Sequence, residues 1–145
     1  MREDCKGFGA LRRTYFALVC TGAVGNSLAF VLTLHTVSTG RVVEASPHLG
    51  ELMSYPYTAW LLGQSIFLGL YVTVFFAPGL TMHQRVVIAA SITGLSLSNL
   101  FHDLTVFQGS HYLHIIATLT PLALTQTVVS LWVLAVRDKG LGTQY

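Results

Sequence analysis

The stretch that decides the fold is Thr14–Ser38, TYFALVCTGAVGNSLAFVLTLHTVS. It contains no Asp, Glu, Lys or Arg, and it is longer than the ~20 apolar residues that carry a helix across a ~30 Å hydrocarbon core. Its continuity points to a helix, because a membrane barrel strand shows about ten residues of alternating character. Lipid offers the backbone no hydrogen-bonding partner, so a spanning segment must satisfy its own N–H and C=O groups, as a helix does. Arg12 and Arg13 precede the run as they would precede a signal peptide. The run is nevertheless too long for a ~7–15-residue signal core, and Asn26 interrupts its middle, so the segment is expected to be retained.

Working outward, three further apolar runs follow, at Tyr57–Ala77, Gln84–Phe107 and Leu113–Val136. Together the four predict an all-α, four-helix transmembrane bundle that forms a single membrane domain over residues 1–145. Composition agrees: 10% of the 145 residues are charged, against about 25% in soluble domains, and the mean hydropathy is +0.61. Pro78-Gly79 and Gly109-Ser110 make short connections, which favour an up-down topology with consecutive helices as neighbours. Small residues at four-residue spacing, Ala17-Thr21-Gly25 and Ala90-Gly94-Ser98, predict close helix contacts and a homo-oligomer built on such faces.

Charge sets the orientation. Of the eight Lys and Arg residues, only Arg41 falls in the first or third connection; the rest flank the other ends of the runs. The positive-inside rule then places both termini and the Pro78–His83 turn in the cytoplasm, with the lipid bilayer of the cytoplasmic (plasma) membrane as the chain's principal partner. The net charge of +2 reflects this topology and gives no support for nucleic-acid binding. Cys5 and Cys20 fall toward the reducing side, where a structural disulfide is not expected. In the long outer loop, Ser46-Pro47 reads as an N-cap with proline at the first helical position. A short outer interfacial helix is predicted after Ser46.

The residues able to carry chemistry gather toward the outer end. Each run contributes one carboxamide away from its ends, Asn26, Gln64, Asn99 and Gln126, and each is expected to face inward and bond across helices, because a lone amide in hydrocarbon is costly. His102-Asp103 lies about 27 Å along the third run from Arg85, at the outer interface. His35, Glu44, His48, His111 and His114 reach a similar level. Glu44, His102, Asp103, Asn99 and Asn26 are therefore the candidate ligand or proton site. His111-x-x-His114 places two imidazoles on one helical face, so His102, Asp103, His111 and His114 form a candidate metal set of zinc type. No Walker, CxxC, G-x-S-x-G or HExxH motif occurs, and no catalytic residue is assigned.

The segment from Asn26 to Met53 resembles a family of small prokaryotic membrane proteins grouped only as a domain of unknown function. That family's pattern is Asn-x-x-Asp and then Thr in the first span, followed by a Gly-x-x-x-Glu-x-Asn-Pro turn. Asn26, Thr33, Gly40, Glu44 and Pro47 stand at those positions, while Ala29 replaces the aspartate and Ser46 the asparagine. The resemblance covers about the first half of the chain. It implies a multi-helix membrane fold and brings no activity with it. Three functional readings fit the sequence: a binding, scaffold or accessory protein with an outward-facing His/acid cluster; a small dimeric transporter or channel; and a metal-dependent membrane enzyme using the same cluster.

Overall fold

The computed structural model describes residues 2–39, 51, 54–107 and 114–141. The described residues form four helices and no strand: α1 (Arg2–Ser38), α2 (Pro56–Phe76), α3 (Met82–Phe107) and α4 (His114–Leu141). Each expected span is helical, and the bundle is all-α as expected. The differences lie at the ends. α1 begins at Arg2 instead of Thr14, and α4 runs past Val136 to Leu141. Lys, Arg and Glu are adequate helix formers, so a helix need not stop where its apolar run does.

Three helices are long and apolar enough to cross a membrane, through the segments Phe8–Ser38, Pro56–Phe76 and Leu119–Val136. α3 is the exception, because it carries Ser91, Thr93, Ser96 and Ser98. Its position accounts for that composition. α3 is the central helix, packed along its length against α1 and α4, while α2 rests more lightly on α1 and α3. Val86, Ala89 and Ala90 are fully buried, and Thr93 and Ser98 nearly so. The flanking helices instead turn Val24, Leu28, Val31, Leu61, Ile66, Val72 and Leu131 outward. An outer surface of this kind suits lipid; in water it would drive association.

The tightest seam joins α1 to α3, which are not consecutive in sequence. Thr93 donates to the Leu18 carbonyl at 3.0 Å and Ser96 to that of Gly22 at 2.8 Å. Thr33 and Asp103 meet further along in the same sense, so the two helices run parallel. Consecutive helices are close neighbours at α3–α4, as the short connections predict, but not at α1–α2: hydroxyl-bearing and small residues on α3 let it approach α1 more closely than α2 does. The two helical hairpins consequently pack differently, α3 with α4 extensively and α1 with α2 lightly.

The stripe on α3 is buried as expected. A Cβ at Gly94 would lie 3.1 Å from the Leu122 Cα, so a larger residue would have to push the α3 and α4 backbones apart by a few tenths of an ångström. On α1 the expected stripe is out of phase. Ala17 and Thr21 are exposed, and the buried small positions are Gly22, Gly25 and Ala29. Cys20 is likewise exposed.

Away from the His102 end the interior closes tightly. Tyr15 donates to the Tyr71 carbonyl at 2.5 Å, and the Tyr71 hydroxyl meets Thr93 at 2.7 Å. Leu11, Met82, Val86, Ala89 and Val133 complete that core. The α2–α3 turn has Gly79 at φ 79° after Pro78, the residue types a type II turn requires. Thr81 and Gln84 then form a capping box, Thr81 N–H to Gln84 Oε1 at 2.9 Å and Gln84 N–H to Thr81 Oγ1 at 3.3 Å, which satisfies two of the orphan donors at the start of α3. Arg85 donates to the Ala77 carbonyl at 3.0 Å and lies over the Phe75 ring.

The expected helix after Ser46, together with Gly40, Glu44 and His48, lies outside the described residues. Glu51 is helical and exposed.

Candidate functional site

Three helices contribute residues at helical spacing to one recess. α1 supplies Asn26, Phe30 and Thr33, α2 supplies Ala59, Trp60 and Gly63, and α3 supplies Asn99; they surround a cavity of about 180 Å³. Positions four and seven apart share a helix face, which is why one side of α1 delivers three lining residues. Counting ~1.5 Å per residue from Arg85 puts Asn99 about 21 Å along α3. Ala59 and Gly63 keep the α2 wall thin, and a Cβ at Gly63 would meet nothing within 4 Å.

The four carboxamides divide into two pairs. Gln64 is buried and donates to Ser27 Oγ at 2.7 Å, with a longer contact to the Ala23 carbonyl at 3.4 Å. Gln126 donates to Ser91 Oγ at 2.6 Å, across α4 and α3, although its buried Oε1 has no partner among the described residues. These two behave as expected of interhelical links. Asn26 and Asn99 do not: Asn26 is half-buried, Asn99 is exposed, and neither bonds to a described residue. Both instead line the recess.

The carboxylate of Asp103 stands one turn beyond Asn99. Its Oδ2 lies 2.8 Å from Thr33 Oγ1 and its Oδ1 lies 3.3 Å from His102 Nδ1. Thr33 also reaches the Ala29 carbonyl at 3.0 Å. One hydroxyl proton serves both acceptors, so an oxygen lone pair is left over. Trp60 Nε1 donates to Ser27 Oγ at 3.3 Å, so Ser27 holds both Trp60 and Gln64 against α1. Neither the Thr33–Asp103 bond nor the Ser27 link is signalled by sequence alone. The nearest hint is the Asn26, Phe30, Thr33 spacing.

Of the expected site residues, the structure brings Asn26, Asn99, Asp103 and His102 to one end of the bundle. Glu44 and His111 lie outside the described residues, and His114 is described only as the first residue of α4. His35 sits exposed in the last turn of α1. Among the described residues no three His, Cys, Asp or Glu side chains are grouped so as to hold a metal ion. A second, apolar hollow of about 520 Å³ lies between α3 and α4, lined by Leu97, Phe101, Ile116, Pro121 and Leu124 with three threonines. Comparison of the chain with protein-family models, curated proteins and solved structures returned no match. The geometry of the recess therefore carries the functional argument.

Proposed function

We propose that the chain is a small multi-pass membrane binding protein whose recess takes a small polar ligand from the outer side of the cytoplasmic membrane. In this reading α3 is the fourth crossing, sheltered by α1 and α4, and both termini lie in the cytoplasm in keeping with the distribution of Lys and Arg. The observation that carries the reading is that Asn26 and Asn99 face an open volume of about 180 Å³ without bonding to any described residue. An amide at that depth is costly unless something pairs with it. A ligand or its water supplies that pairing.

Binding is favoured over conduction by what lies beneath. The Ser96–Gly22 and Tyr71–Thr93 bonds lie on the far side of Asn26 and Asn99 from Asp103, and a polar path through α1, α2 and α3 would have to part them. Kinship with the family that the Asn26–Pro47 segment resembles belongs to the same proposal. Two of the positions that carry that resemblance, Asn26 and Thr33, line the recess. Self-association through the exposed helix faces belongs to it as well, and crosslinking in mild detergent that gave only monomer would remove that part.

Thermal melting of the purified protein against a panel of small amines, alcohols, amides and carboxylates tests the reading. A fitting solute at about a hundred times its Kd stabilises the native protein by about 2.7 kcal/mol and leaves an Asn26→Leu/Asn99→Leu variant unmoved. Equal shifts in both proteins, or none from any solute, would refute it.

A further inference from the structure

We infer that the ligand is an organic ammonium ion, and this rests on the binding reading above. The polar and aromatic lining groups each offer something a cation takes. Thr33 commits its proton to Asp103 or to the Ala29 carbonyl, so its hydroxyl is left to act as an acceptor. Trp60 commits its N–H to Ser27, which leaves the indole ring as its contribution, with the Phe30 ring nearby. Ring faces attract cations, and Trp most strongly. Asn26 and Asn99 present a carbonyl oxygen by simple rotation of the amide. Asp103, one hydroxyl away, is the acid at this end of α3, and among the described residues no Lys or Arg lines the recess.

Size and depth narrow the class further. A volume of about 180 Å³ is below the ~300–1,000 Å³ of sites for drug-sized molecules. It suits a primary or quaternary ammonium group with a short stem. Trp60 lies one turn inside α2 from Pro56, with exposed Tyr55 and Tyr57 beside it, the placement of an interfacial aromatic belt at headgroup level. The same ammonium chemistry reaches that level on a lipid headgroup or on a free amine.

The test uses the full chain in lipid nanodiscs with Trp132→Phe, which leaves Trp60 as the sole tryptophan. Ethylammonium and choline are titrated while Trp60 emission is read. The expected result is a saturable change, weakened at least about tenfold by Asp103→Asn and absent with 3,3-dimethylbutan-1-ol, the neutral isostere of choline. Asn99→Leu, at a position with no bond to a described residue, repeats the test should the Asp103 variant fold poorly, and it too should weaken the titration.

Two bilayers separate the sources. If the headgroup is the ligand, phosphatidylethanolamine discs shift Trp60 emission relative to phosphatidylglycerol discs and blunt the response to free amine; if a free amine is the ligand, both discs give one titration curve. Response to the neutral isostere, or displacement by sodium or potassium at equal concentration, overturns the ammonium assignment. Saturable binding of only a neutral or anionic probe overturns it too but leaves the binding reading standing. Silence from every probe removes both.

Discussion

Replacing carboxamides by leucine should change stability with opposite sign at Asn99 and Gln64. Gln64→Leu removes the 2.7 Å bond to Ser27 and the longer one to the Ala23 carbonyl, and loosens the link that also holds Trp60. Interhelical bonds in membranes average about 0.6 kcal/mol and reach about 1.7, so a loss of about 1 kcal/mol is expected. Asn99→Leu breaks no bond to a described residue and removes from the recess wall an amide that pairs with none of them. The gain should be roughly 0.5–2 kcal/mol. Stability bought this way typically costs function, so the same variant should lose ligand response. The assay is reversible unfolding of purified protein in mixed micelles as the denaturing detergent fraction rises. If Asn99→Leu destabilises as much as Gln64→Leu, Asn99 is a structural link and the reasoning fails.

Gly94→Ala should destabilise by about 1–3 kcal/mol through overpacking, because its Cβ would sit 3.1 Å from the Leu122 Cα; Gly63→Ala, with open space around it, should be neutral or stabilising in the same unfolding assay. Tyr71→Phe should cost about 1 kcal/mol by removing the hydroxyl that meets Thr93, and loss of near-ultraviolet dichroism at lower denaturing detergent would report it. Reporter fusions at Glu51 and His83 should fall in opposite compartments. The same compartment for both would contradict the proposed orientation.

The helices were legible because long runs poor in charge, three of them apolar enough to cross a membrane, leave the backbone one way to satisfy itself. Which helices touch was not, since hydropathy gives a residue's level along the bundle and says little about its direction around the axis. On α1 both Ala17-Thr21-Gly25 and Gly22-Gly25-Ala29 read as small-residue faces, and only the contact with Ser96 selects the second. The four carboxamides were visible, but their division was not. The longer reach of glutamine brings Gln64 and Gln126 to serines on neighbouring helices, whereas Asn26 and Asn99 open onto space. The sequence places Asp103 at the outer level together with several histidines and Glu44. The structure pairs Asp103 with Thr33 beside His102, because α1 and α3 lie in parallel contact there.

The parallel seam also bears on how the chain is made. Its bonds join residues 74 and 75 apart, Gly22 to Ser96 and Leu18 to Thr93. At ribosomal rates of about 5–20 residues per second, the second half of that seam emerges about 4–15 s after the first. Throughout that interval α1 waits in the bilayer with its main docking groove vacant, so the order of synthesis makes the arrival of α3 the step that commits the fold.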